Sequence, residues 1–282
     1  MIEYIDATKF EVPLSLINFM KDRIDLIPHQ IIAVKKMIDE PLCRFLLADD
    51  LGLGKTIMAG MLIKELLFKG RIKNVLIIVP PMLIPQWKSE LEEKFNLKFL
   101  EFTSAMPAIG ELLVASIDFL KQGVKESRRK TRKSSAIDEI INRKWDLIIF
   151  DEAHKLSAYM DLDKTEIGTR RIRENTTLRY KLAKKLVSQT KYVLLLTATP
   201  HTGRNYQFYK LVSLITPYFL VPVEEKLNKE FVEKAIPVGD FWSEVAEWIS
   251  PAHTLSAIDD NVWDHLSKNS MNILKNLSLI HI

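Results

Sequence analysis

Apolar residues in this chain gather in short, almost unbroken runs at 45–48 (FLLA), 75–79 (VLIIV), 112–115 (LLVA), 147–150 (LIIF) and 193–196 (VLLL). A strand with one wet face alternates apolar and polar residues, whereas a strand covered on both faces does not. The five runs therefore read as buried strands. Between them the period lengthens to that of helices. Residues 56–69 are apolar on a broad face and stop at Gly70, 85–95 open on a proline and are amphipathic, and 180–188 are amphipathic and basic. Strands alternating with helices predict a mostly parallel central sheet with helices on both sides, a three-layer α/β domain.

Three stretches break the pattern. Residues 121–133 carry seven basic side chains against Glu126 and are expected to stand in solvent, within a basic insertion over 121–144. Residues 161–179 are polar and charge-rich. After Pro217, 223–235 and 241–249 read as amphipathic helices, with Trp242, Val245, Ala246 and Ile249 sharing a face that packs into a core. The expected organisation is an N-terminal extension (1–25), one large domain (26–219) and a helical segment (220–282). The last six residues, Leu-Ser-Leu-Ile-His-Ile, are what a common sequencing adapter encodes. The expectation is that the reading frame runs off its insert there.

Composition narrows the field only slightly. Hydrophobic residues make up 47% of the chain and charged residues 27%, as in globular proteins. The net charge of +4, from 40 basic and 36 acidic residues, is a weak overall attraction to polyanions, so a nucleic-acid argument depends on where charges sit. The single cysteine, Cys43, has apolar neighbours and reads as core. No secretory signal is visible at the N-terminus. The most apolar stretch, 75–84, is broken by Pro80 and Pro81 and is too short to span a bilayer. The expectation is a cytoplasmic protein without membrane contact.

Chemistry enters at the ends of the strands. The run 45–48 leads into Asp49-Asp50-Leu51-Gly52-Leu53-Gly54-Lys55-Thr56 and then a helix. Glycines allow the backbone to turn around phosphates, and the helix N-terminus adds partial positive charge. Lys55 would reach the β- and γ-phosphates of ATP, and the Thr56 hydroxyl would bind Mg²⁺. Asp49 stands where the strict phosphate-loop pattern has glycine. The run 147–150 leads into Asp151-Glu152-Ala153-His154, with Asp151 lying 96 residues beyond Lys55. A carboxylate at the carboxyl end of a buried strand sits where open parallel sheets bind ligands. Asp151 is expected to hold Mg²⁺ and Glu152 to orient and activate the attacking water, with the two motifs on adjacent strands. His154 is placed to link the site to its surroundings. The run 193–196 ends in Thr197-Ala198-Thr199-Pro200, whose hydroxyls can bond the acidic loop and report on the γ-phosphate.

Taken in order, Pro28-His29-Gln30, the glycine loop, Val79-Pro80 through Gln86-Trp87, Ala115-Ser116-Ile117-Asp118, Asp151-Glu152-Ala153-His154 and Leu196-Thr197-Ala198-Thr199-Pro200 resemble the first RecA-like lobe of a SWI/SNF-type ATPase of helicase superfamily 2. The resemblance covers 26–219 and is nearest to a bacterial and archaeal branch that includes an RNA-polymerase-recycling ATPase and subunits of phage-defence systems. It implies a P-loop fold. It also implies an adenine contact from Gln30, phosphate contacts from Asp50, Gly52, Leu53, Gly54, Lys55 and Thr56, and a nucleic-acid track through Pro80, Gln86, Trp87 and Ser116. For Trp87, core packing is the competing reading. Double-stranded DNA is the implied partner, and a second RecA-like lobe carrying arginine fingers is required, of which nothing after Pro217 gives a sign.

The expected activity is ATP-dependent translocation on DNA. A true helicase and a restriction or phage-defence translocase subunit stand as alternatives, as does a module that binds ATP and nucleic acid without hydrolysis.

Overall fold

The computed structural model of the chain describes residues 27–39, 43–48, 54–103, 111–124, 132–164, 170–199 and 205–215. In chain order these form α1 (Pro28–Asp39), β1 (Arg44–Ala48), α2 (Lys55–Phe68), β2 (Val75–Val79), α3 (Ile84–Phe95), β3 (Leu100–Glu101), β4 (Leu112–Ser116), α4 (Ile117–Leu120) and α5 (Arg132–Asn142). There follow β5 (Leu147–Phe150), β6 (Ala158–Lys164), β7 (Arg170–Thr176), α6 (Leu178–Val187), β8 (Tyr192–Thr197) and α7 (Asn205–Ile215). Single 3₁₀ turns occupy Pro81–Leu83, Lys121–Val124 and Ala153–Lys155.

Six strands form one sheet in the order β1-β8-β5-β2-β4-β3, every pair parallel. The pleat distributes each strand between two cores. Leu46, Leu76, Ile78, Leu113, Ile148, Phe150, Val193 and Leu195 face α5, α6 and α7. Their neighbours Phe45, Leu47, Val75, Ile77, Val79, Val114, Leu147, Ile149, Leu194 and Leu196 face α1, α2 and α3. Because both faces are covered, alternation vanishes from the sequence, and the three-layer α/β prediction holds. Each fully buried Leu, Ile or Phe contributes about 1.5–3 kcal/mol, so these two layers are the main source of stability.

Helices α2 and α3 approach closely at one point. A Cβ on Gly60 would overlap the Phe95 ring, so only glycine lets the two buried surfaces meet here. Cys43 is buried at the foot of β1, as its apolar neighbours imply, and its carbonyl accepts from Val193 N at 2.8 Å.

Two expectations change. The phosphate loop and the acidic loop do not follow adjacent strands: β8 lies between β1 and β5, pairing with both. Apolar runs identify strands but carry no information on their order. The basic insertion of 121–144, expected to be exposed over 121–133, also ends in a helix that packs on the core. Residues 132–142 are helix α5, whose Ala136, Ile137, Ile140 and Ile141 are buried in the core with Trp145. Their i, i+1, i+4, i+5 spacing is a helical stripe, masked in the sequence by the basic residues before it.

The charge-rich stretch after β5 holds a second, two-stranded sheet. β6 and β7 pair antiparallel over seven residues from Ala158↔Thr176 to Lys164↔Arg170. The helices expected at 223–235 and 241–249, the extension 1–25 and the final six residues lie outside the described residues. No helix among the described residues is long and apolar enough to cross a membrane.

Candidate nucleotide site

The carboxyl ends of the sheet strands lie side by side, and nearly every chemically suggestive residue follows one of them. Register alignments fix the row: Ala48↔Thr197, Leu195↔Phe150, Phe150↔Ile78 and Val79↔Ser116. Moving along this edge, one meets the loop to Gly54-Lys55 after β1, Thr197 at the tip of β8, Asp151-Glu152 after β5, Pro80 after β2, and Ser116 at the tip of β4.

At the β1 end, Gly54 takes a left-handed conformation (φ 81°, ψ 36°) as the cap of α2, which begins at Lys55. A Cβ there would overlap Nε2 of Gln30, which is 3% exposed on α1. Glycine is thus required twice, by its backbone angle and by the carboxamide packed against it. Lys55 and Thr56 occupy the first positions of α2 and are half-buried, with the positive end of the helix dipole beside them. Asp50, Gly52 and Leu53 lie outside the described residues.

Across β8, Asp151 extends the β5–β2 pairing, its N–H donating to Ile78 O at 2.9 Å. Each of its carboxylate oxygens accepts one hydrogen bond: Oδ1 from the backbone of Glu152 at 2.8 Å, Oδ2 from Trp87 Nε1 at 2.8 Å. Burial pushes the Asp151 carboxyl above the usual range, while Trp87, the Glu152 N–H and the Lys55 ammonium pull it back only in part. Lys55 and Asp151, 96 positions apart in sequence, thus stand within electrostatic reach of each other.

Glu152 has φ 52° and ψ 46°, a left-handed conformation that non-glycine residues rarely adopt and that costs about 1–3 kcal/mol. Such strain clusters at functional sites. Its Oε2 lies 3.1 Å from His154 Nδ1, and the same nitrogen is 3.1 Å from Thr197 Oγ1. Thr197 Oγ1 also accepts from Thr199 N at 3.1 Å. Burial lowers the His154 pKa, favouring the neutral ring. An ionised Glu152 only accepts, so this contact selects the tautomer with its proton on Nδ1. Glu152, His154, Thr197 and Thr199 therefore form one chain of contacts from the acidic loop to the end of β8.

The residues expected to line a track divide. Pro80 is half-buried and Gln86 exposed, its Nε2 donating to Glu90 Oε1 at 2.8 Å. Ser116 is half-buried and caps α4, its Oγ accepting from Asp118 N at 3.2 Å and Phe119 N at 3.3 Å while its own proton stays available for donation. Trp87 is corrected: it is 2% exposed, and its ring belongs to the core between the sheet and α3. It cannot stack on a base. Its N–H on Asp151 is a contact that sequence reasoning missed. The available signal was that a buried indole needs an acceptor, although nothing in the sequence says which. Asp118 was also passed over. It bonds Lys121 Nζ at 2.7 Å and Arg179 at 2.6 Å, which hold its carboxyl below the usual range and tie α4 to α6.

The donor set fits a magnesium nucleotide. The left-handed Gly54 and the N-terminus of α2 suit phosphate, and Asp151 is a carboxylate at the carboxyl end of β5. Among the described residues no three His, Cys, Asp or Glu side chains cluster to hold a metal by themselves. That matches magnesium, which takes one or two protein ligands and completes its shell from phosphates and water.

The fold is that of a RecA-like α/β lobe, with Lys55 at the start of α2 and Asp151 after β5 at the same edge of its sheet. The chain belongs to the family described as "Type III restriction enzyme, res subunit", which it matches over residues 23–202. It is 34% identical over 209 residues to the "Uncharacterized ATP-dependent helicase YqhH" of Bacillus subtilis (strain 168), covering 74% of this chain and 32% of that protein. It is 35% identical over 211 residues to the "RNA polymerase-associated protein RapA" of Actinobacillus pleuropneumoniae serotype 7 (strain AP76), covering 68% of this chain and 19% of that protein. Among solved structures it resembles the Sulfolobus solfataricus SWI2/SNF2 ATPase core in complex with dsDNA, with a TM-score of 0.50 and 21% identity over 76% of this chain and 43% of that one. The structural likeness shows the fold alone, a parallel α/β lobe. The chain spans about a third or less of the length of these curated relatives.

Proposed function

We propose that this chain is the ATP-binding lobe of a DNA-dependent ATPase that, with a second lobe, translocates along double-stranded DNA. The observation that supports the reading is that Lys55, at the start of α2, and Asp151, after β5, stand on either side of β8 at the carboxyl edge of one parallel sheet. An amine and a hydroxyl on one side of β8, and two carboxylates on the other, are what phosphoryl transfer from a magnesium-bound triphosphate needs. Magnesium, when bound, neutralises charge on the phosphate oxygens. Lys55 donates to the terminal phosphates, Thr56 and Asp151 hold the metal, and Glu152 orients the attacking water and accepts its proton. Gln30, packed against Gly54, selects the adenine. DNA is proposed as the polymer because one structural relative was solved with it and one sequence relative is named a helicase. Pro80, Gln86 and Ser116 would meet its backbone, giving affinity without sequence readout.

The family's description favours one other reading, a translocating subunit of a restriction-type system. It uses the same engine and differs in what is attached to it.

The test is nucleotide binding and hydrolysis by the intact gene product with and without duplex DNA. Duplex is expected to stimulate hydrolysis. Lys55→Ala is expected to abolish nucleotide binding, and Glu152→Gln to bind ATP but not hydrolyse it. Normal turnover by Glu152→Gln overturns the assignment of the base. The 282-residue chain alone is expected to turn over at a near-zero rate, since an arginine from a second lobe contributes about 10³–10⁵ in such enzymes.

A further inference from the structure

Two buried tryptophans among the described residues satisfy their N–H groups differently. Trp145 donates to a backbone carbonyl, Ile140 O, at 3.0 Å, an arrangement that serves only the core. Trp87 donates to a carboxylate at the centre of the candidate site. A rigid, donor-only side chain on Asp151 Oδ2 fixes the plane of that carboxylate, because Oδ1 is already anchored by its own loop at Glu152 N.

The two anchors belong to different elements. The Glu152 N–H moves with the acidic loop, whereas Trp87 moves with the first turn of α3. That turn is continuous with a surface: Pro81, Pro85 and Gln86 are exposed and Met82 is 89% exposed, immediately before a side chain that is 2% exposed. The outer side of the turn faces solvent next to Pro80 and Gln86, and its inner side holds the metal-binding carboxylate.

We propose that Trp87 is a positioning residue that couples nucleic acid bound on the Pro80–Gln86 turn to the orientation of Asp151. The inference rests on the ATPase reading above and goes beyond it by naming the physical link. Polymer backbone pressing on the turn tilts α3 at its N-terminus, the indole carries the tilt to Oδ2, and the carboxylate turns toward or away from the position where it serves the nucleotide. No atom of Trp87 touches substrate.

The test measures linkage in the intact gene product. Binding of a fluorescent ATP analogue is titrated with and without a blunt DNA duplex, and the ratio of the two dissociation constants is the coupling factor, about 5–150-fold in coupled systems. Trp87→Phe keeps most of the ring and removes the N–H. A second variant carries benzothienylalanine at position 87, which keeps the indole shape with sulfur in place of N–H, so the test survives even if phenylalanine unfolds the protein. The expected result is a coupling factor falling to near one in both variants, with melting temperature held by the isostere and nucleotide affinity without DNA largely retained. An unchanged factor in the isostere overturns the link while the ATPase reading stands. Equal losses of affinity with and without DNA show a merely structural role and overturn it as well. A factor of one in the unsubstituted protein overturns both this link and the DNA-dependent reading on which it rests.

Discussion

His154 Nδ1 stands 3.1 Å from the Thr197 hydroxyl, joining the acidic loop after β5 to the tip of the strand beside it. Because β8 separates β1 from β5, Thr197 lies between the phosphate loop and the carboxylates. Under the proposed function, a change at the terminal phosphate would have a short path to the end of β8, through Glu152, His154 and Thr197.

Thr197→Val keeps the shape of a side chain that is 1% exposed and removes the hydroxyl. The expected outcome is a stability loss of about 1 kcal/mol, retained nucleotide affinity and a clear fall in DNA-stimulated turnover. Denaturant unfolding beside steady-state kinetics checks it, and unchanged turnover would remove Thr197 from the coupling path.

Gly54→Ala forces a side chain into a left-handed backbone and onto the Gln30 carboxamide. The backbone alone costs about 1–3 kcal/mol. Nucleotide binding is expected to fall below detection in equilibrium titration, while circular dichroism shows the sheet retained.

The pH dependence of stability has a defined acid limb from Asp118. Its folded pKa is lowered, by Lys121 first and then Arg179, so its contribution is present above the ordinary Asp value of about 3.9 and is lost as pH falls through the lower folded value. Asp118→Asn removes this contribution, and the gap in melting temperature between the two proteins is expected to close below about pH 3.9. A gap that stays constant into acid would contradict the linkage.

Gly60→Ala exchanges a poor helix former for the best one, a gain of about 1 kcal/mol, yet the new methyl meets the Phe95 ring. Overpacking of this kind costs about 1–3 kcal/mol, so a net loss is expected. Adding Phe95→Leu is expected to recover part of it, read as non-additivity in a double-mutant cycle of unfolding midpoints.

The five central strands were legible because a parallel strand buried on both sides writes itself as an unbroken apolar run. β3 was not: Leu100 and Glu101 form a two-residue edge strand, both residues exposed, with no run to see. Helix α5 was hidden because basic residues before Ala136 outweighed the stripe behind them. The chemistry of Lys55, Asp151 and Glu152 is proposed from their motifs, and their position at strand ends could be read from the same motifs. The place of β8 between them could not, since order in a sheet depends on which layers of helix cover it. Trp87 shows the same limit at the scale of one side chain. Burial of its ring was readable, whereas its partner, 64 positions away, emerged only with the fold.

The ribbon formed by β6 and β7 begins after Ser157 and ends before Thr177, and these two residues touch: Thr177 N and Oγ1 both donate to Ser157 O, at 3.2 and 2.8 Å. The chain thus makes a closed excursion whose two ends are already neighbours. Such a detour can lengthen, shorten or be exchanged without pulling on the acidic loop before it or on α6 behind it. It gives the engine a socket in which new attachments can be tried while the machinery beneath keeps its shape.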